Sequence, residues 1–258
     1  MAAADEGVDR IYVSGDILNP DKPFSLKDIQ SLQAYIKNKR PGAELYLGTP
    51  RMMNEMQFEI YKSGLQTMLP YIDGILIGNL GAAWAFKNMG VPLAGDYPLN
   101  VFNSLAADFY RAQGTAQVTA SIELNAACLK KLCKAFDSIE LIAHGRIETM
   151  YFDHDFFEIY GHDLNTPFML YNEAGGFEIY RDQHHRTHLL TKSRFTILPL
   201  INDMRRLGIY AFRIEAQTEK PEALREIIRA FKEKNAGAVF NNPVLNKYAY
   251  SYEALRFK

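Results

Sequence analysis

Two cysteines in 258 residues, Cys128 and Cys133, give this chain neither a disulfide framework nor the CxxC pairs of a zinc knuckle. Five apart in a helical pattern, they read as core or surface thiols of a reducing compartment. Long apolar runs are also absent: nothing approaches the roughly 18 consecutive apolar residues of a membrane-spanning helix. The opening MAAADEGVDR lacks a basic region followed by an apolar stretch. It is therefore no secretory signal, and the cytoplasm is the expected compartment. Charge of one sign is not in excess either. A net charge of -1 removes any global attraction to nucleic acid or anionic membrane and leaves only local patches. No membrane partner is expected, no internal repeat or low-complexity segment stands out, and the oligomeric state is left open.

What is present is core material. Hydrophobic residues make up 48% of the chain, enough for one large α/β domain or two average ones. Short apolar runs alternate with helical periodicity. Ile11 to Val13, Leu45 to Leu47, Gly74 to Ile77, Val91 to Ala94, Gln117 to Ala120 and the run from Ile139 read as strands. Helices are predicted from Ser25 to Lys37, Asn54 to Leu69, Ala82 to Asn88, Ser104 to Gln113 and Asn125 to Phe136. Six strands with helical crossovers imply a parallel sheet, and their apolar character suits burial beneath helices on both faces.

Each strand ends in polar residues: Asp16, Arg51, Asn79, Asp96, Glu123, then His144 and Arg146. The carboxyl ends of parallel strands are where α/β folds build sites. The stretch IELIAHGRIETMY, Ile139 to Tyr151, is the most informative. A buried strand there delivers His144, Arg146 and Glu148, which alternate and so point one way on an extended chain.

From Asp153 to Thr191 the rhythm breaks. Phe168 to Tyr171 and Phe177 to Tyr180 read as an antiparallel hairpin about Glu173 to Gly176, with His188 to Leu190 as a third strand. The rhythm resumes with a helix over Leu198 to Leu207, a strand over Tyr210 to Ile214 and a helix from Pro221 to Lys234. That makes seven parallel strands where a closed barrel takes eight. The eighth would come from Ala238 to Phe240 in the tail. Alternatively it precedes Ile11 in a longer protein, since Ala2 to Val8 reads as the end of a helix.

Several stretches together resemble the peptidase U32 family, the collagenase-like proteases with a barrel fold. They are VDRIYVSGD (Val8 to Asp16), TPR (Thr49 to Arg51), ILIGNLGA (Ile75 to Ala82) and GDYPLNVFNS (Gly95 to Ser104). SIELN (Ser121 to Asn125), HGRIETM (His144 to Met150) and FRIEAQTEKPEAL (Phe212 to Leu224) complete an ordered set covering nearly all but the tail. The resemblance implies an α/β, TIM-barrel-like (β/α) barrel over residues 1 to 236, short of one strand. An antiparallel hairpin insertion occupies 153 to 191, and a tail runs from 237 to 258.

Members that resemble hydroxylation factors for RNA bases or quinone precursors carry cluster-binding cysteines after the HG motif. Here Glu148 and Asp155 stand about where two of them would be. A four-thiolate iron-sulfur cluster is not expected.

The candidate catalytic set is Glu123, His144, Arg146 and Glu215. The candidate substrate-binding set is Arg51, Asn79, Asp96 and Arg213. Arginines suit bidentate grip of a carboxylate or phosphate, and a crowded Glu or His can carry a proton near neutral pH. A buried ion-pair network is the structural alternative. No Ser-His-Asp or Cys-His pairing announces a nucleophile.

Asp153, His154, Asp155, His162 and Asp163 could hold a divalent metal, but no HExxH-like spacing supports it, so a polar loop is the favoured reading. His184, His185 and His188 read as hairpin surface. Asp96, Asn100 and Asn103 in GDYPLNVFNS suit fixing the strand-to-helix turn rather than chemistry. Two functions follow: a hydrolase acting on an anionic, small-molecule or peptide substrate, or a catalytically degenerate domain binding a ligand, a partner or RNA.

Overall fold

The structure, a computed structural model, describes residues 1–18, 24–173 and 175–234. The run from Ala238 to Phe240 and the tail lie outside the described residues.

Six strands follow one another in parallel: β1 (Arg10–Val13), β2 (Glu44–Gly48), β3 (Gly74–Ile77), β4 (Leu93–Gly95), β5 (Thr115–Thr119) and β6 (Ile139–Gly145). A short helix, α1 (Ala2–Asp5), precedes them. Between them run α2 (Leu26–Lys39), α3 (Glu55–Met68), α4 (Leu80–Phe86), α5 (Ser104–Ala112) and α6 (Ala126–Ala135). Sequence-local signals set these helices. Ser25 and Asn54 close capping boxes with Asp28 and Gln57, while Asn79, Asn103 and Asn125 each accept the amide three residues on.

The chain then leaves the sheet. β7 (Glu148–Phe152), α7 (Phe156–Tyr160), β8 (Phe168–Asn172), β9 (Gly175–Arg181) and β10 (Thr187–Thr191) form a four-stranded antiparallel sheet ordered β7-β10-β9-β8. The predicted hairpin is there, but the small sheet starts at Glu148, directly after the HG turn. β11 (Phe195–Thr196) returns antiparallel to the end of β6, and α8 (Ile201–Arg206) leads to β12 (Ala211–Ile214), parallel to β6. α9 (Pro221–Glu233) closes the described chain.

The seven parallel strands curl with their helices outside. Among the described residues β1 pairs only with β2, and β12 only with β6, so the sheet stops short of a closed barrel. α1 and α9 bridge the open side through Arg225 to Asp5 at 2.6 Å and Arg229 to Glu6 at 2.7 Å. Outward-facing Val13, Leu45, Leu47, Ile75, Ile77 and Val118 pack beneath the helices in one large apolar core.

The inward face corrects the expectation of strands apolar on both sides. Tyr46, Leu76 and Ala94 form a small apolar group against Tyr12. Beside it lies a polar chain: Arg10 bonds Gln117, Tyr12 and Glu44, and Tyr12 donates to Glu140 at 2.9 Å. Thr119 also donates to Glu140, whose carboxylate lies 3.6 Å from Arg213. Branched apolar side chains usually fill that space in such folds.

Candidate functional site

The strand ends converge on a cavity of about 1130 Å³ that reaches along the open side between β1 and β12. Two glycines set its shape. A Cβ on Gly15 would come 2.1 Å from the Thr49 carbonyl carbon, so only glycine lets the ends of β1 and β2 meet this closely. Gly145 has φ of 134°, and a Cβ there would fall 2.5 Å from the Glu215 carbonyl oxygen. The glycine of the HG pair thus seats the end of β6 against the end of β12.

On one wall Arg213, almost fully buried, lies 2.6 Å from Asp96 and 2.8 Å from Glu215. Its guanidinium stacks over the rings of Tyr12 and Tyr97 at 5.5 and 5.8 Å. Burial opposes its charge, but Asp96, Glu215 and Glu140 outweigh that and push its pKa well up. Burial raises the Glu215 carboxyl, with Arg213 opposing.

At the ends of β1 and β2, Asp16 Oδ2 accepts the Arg51 amide at 2.9 Å, while Oδ1 is buried without a hydrogen-bond partner among the described residues. Burial pushes Asp16 up to about 7, against the Arg51 amide. Arg51 pairs with Glu148 and lies 5.6 Å over the Tyr151 ring. Behind Glu148 stands His188, with no solvent exposure. Its Nδ1 is 3.0 Å from Glu148, and its Nε2 is 3.3 Å from Asp182. Burial works against the imidazolium, yet Asp182 and Glu148 hold its pKa up to about 9.

Of the residues singled out from sequence, Arg51, Asp96, Arg213 and Glu215 line this cavity together. Arg146 sits beside it, paired with Glu178 and bonded to the Tyr180 hydroxyl at 3.0 Å. Three stand apart. Glu123 is exposed on the turn after β5. Asn79 caps α4 and donates to the Pro50 carbonyl at 3.1 Å. His144 is fully buried on the helix side of β6, its ring 6.2 Å from that of Phe231, and burial lowers its pKa to about 4. The bulge lies directly before it on β6, where Ala143 is the extra residue opposite the Arg213–Ile214 step of β12.

The residues that sequence reasoning left out of the site are Asp16, Tyr97, Glu148, His188 and Asp182. Asp16 and Glu148 carried a signal, at a strand end and in the alternation after HG. His188 was read as hairpin surface, and that is corrected: it is fully buried, because the small sheet folds it, with Asp182, over the barrel mouth.

The five residues weighed as metal ligands are engaged elsewhere or stand apart. Asp153 accepts from Arg186, Asp155 caps α7 and pairs with Arg181, and His162 stacks on Phe168 at 4.2 Å. Among the described residues no three His, Cys, Asp or Glu side chains are grouped to hold an ion. The donors do not fit an iron-sulfur cluster either. Glu148 and Asp155 are committed carboxylates, and both cysteines stand on α6. No helix among the described residues is long and apolar enough to cross a membrane.

A curled parallel sheet with outer helices and a charged cavity at its strand ends defines a (β/α) barrel-like α/β protein. The chain belongs to peptidase family U32, whose model matches residues 1–247. Among solved structures it is similar to the U32 peptidase Mk0906, with a TM-score of 0.44 and 11% identity over 55% of this chain and 63% of that one. A GH18 chitinase from Cycas revoluta matches with a TM-score of 0.43 and 10% identity, over 90% and 95% of the two chains. The Bacillus cereus spore cortex-lytic enzyme SleL gives 0.46 and 10%, over 90% and 69%. No curated protein matches the chain.

Proposed function

We propose that this U32-family chain hydrolyses peptide bonds in the cavity at its strand ends, with Asp16 and Glu215 handling the protons. The observation that carries this reading is the pair itself. Two carboxyl groups that line one cavity are both raised by burial, Asp16 to about 7. General acid-base hydrolysis uses one such group as carboxylate and the other as carboxylic acid, and Asp16 changes between the two forms near neutral pH. The ionised member takes a proton from water as its oxygen attacks the carbonyl carbon. The protonated member gives its proton to the departing amine as the C–N bond breaks. Arg51 and Arg213 face the same space and are placed to steady the developing oxyanion. Glu148 and His188 hold Arg51 in position.

An unstructured casein-type substrate and a mixed fluorogenic peptide pool test the reading. Turnover is expected to rise through about pH 7 and to fall at least about 100-fold in Asp16→Asn and Glu215→Gln, with the melting temperature retained. Activity that survives both changes removes these residues from the reaction. Peptide binding without any turnover favours the binding-domain reading, which gains support from the cavity arginines being already paired with carboxylates.

A further inference from the structure

Three consecutive helices around the sheet each expose an apolar pair at i and i+4 near their first turns. These are Met56 and Ile60 on α3, Leu80 and Trp84 on α4, and Leu105 and Phe109 on α5. α3, α4 and α5 follow β2, β3 and β4 and run back from the carboxyl ends of those strands, so each pair stands on the mouth end of its helix. Leu105 is 79% exposed and Trp84, the chain's one tryptophan, 69%. Scattered exposed apolar residues are ordinary; the same exposed pair at the start of three consecutive helices is not scattered. We propose that these three pairs are the interface through which two copies of the chain form a two-fold dimer.

Area and charge point to a second copy. Covering the six side chains would remove on the order of 800 Å² per copy, the half-share of a standard stable interface. A two-fold contact opposes a face to itself, so a face with net charge would repel its twin. The charged residues of α3, α5 and the C-cap of α4 are Glu55, Glu59, Asp108, Lys62, Lys87 and Arg111, three of each sign. Glu59 with Lys62 and Asp108 with Arg111 are already paired at 3.7 and 3.6 Å. A face without cationic excess suits neither nucleic acid nor an anionic bilayer. α4 is the middle helix, so the axis passes near Trp84, where a large aromatic contributes most.

Sedimentation velocity of the full chain from about 1 to 100 µM tests this. A concentration-dependent monomer–dimer equilibrium is expected. Trp84→Glu and Leu105→Glu should each weaken it at least about 100-fold with unchanged circular dichroism, while Tyr171→Glu on the small sheet leaves it alone. A monomer at 100 µM overturns the proposal, as does a dimer indifferent to the Trp84 and Leu105 substitutions. Loss of fold in both of those variants also overturns it, since the face would then be covered within its own chain. Flotation of the monomer with phosphatidylcholine vesicles would assign the pairs to a lipid surface instead.

Discussion

An imidazole without solvent exposure, held between Glu148 and Asp182, is the residue on which the mouth depends. His188→Gln keeps a similar volume but removes the charge that these two carboxylates face. Stranding buried charge in this way costs about 3 kcal/mol or more, which urea melts at pH 7 would measure. The pH dependence has a definite sign. The folded-state pKa of about 9 lies above the roughly 6.5 of an unfolded imidazole, so the proton's contribution is complete below pH 6.5 and lost as pH rises through 9. The stability gap between wild type and variant should therefore narrow between pH 6 and pH 10. A gap of constant size would show that the native imidazole is uncharged. His144 behaves oppositely. Buried beside Phe231 and lowered to about 4, it is uncharged at neutral pH. Two histidines that look alike as letters differ in charge because two carboxylates outweigh burial at His188, while at His144 burial prevails over Glu219.

At the scale of elements, the strand-to-helix turns were the most legible part of the chain. Asn54, Asn79, Asn103 and Asn125 each sit just after a strand and cap the helix that follows, so polarity at a strand end served a helix as often as a site. Asn79 shows the difference. It was a candidate substrate contact, and the structure gives it a cap bond of 2.8 Å to the Ala82 amide and a bond to the Pro50 carbonyl. Asn79→Ala is expected to cost about 1 kcal/mol, or roughly 2–4 °C in melting temperature, with peptide turnover within about twofold. A large rise in KM at unchanged melting temperature would return Asn79 to the binding set. The small sheet was legible as a hairpin from its turn residues and alternation. Its first strand was not, because Glu148 to Phe152 pairs with β10, some forty residues away in sequence.

For the whole molecule, the open side between β1 and β12 has a measurable consequence. Asp9 gives its carbonyl to Glu44 of β2, so by alternation the backbone groups of Arg10 and Tyr12 face the gap. Hydrogen exchange of these two amides should be at least about tenfold faster than that of Ile75 and Leu76 in the sheet centre. Equal protection would mean that a strand covers the edge.

The sequence by itself determined the alternation of strands and helices, the caps and the family, because each is written in short-range periodicity and in motifs a few residues long. Tertiary structure alone decided which polar strand ends share a cavity. Arg51, Asp96, Arg213 and Glu215 meet, Glu123 and His144 do not, and His188 joins from a sheet folded over the mouth. The physical reason is that curl and a β-bulge set the direction of each side chain. The carboxyl pKa values follow from the burial that results.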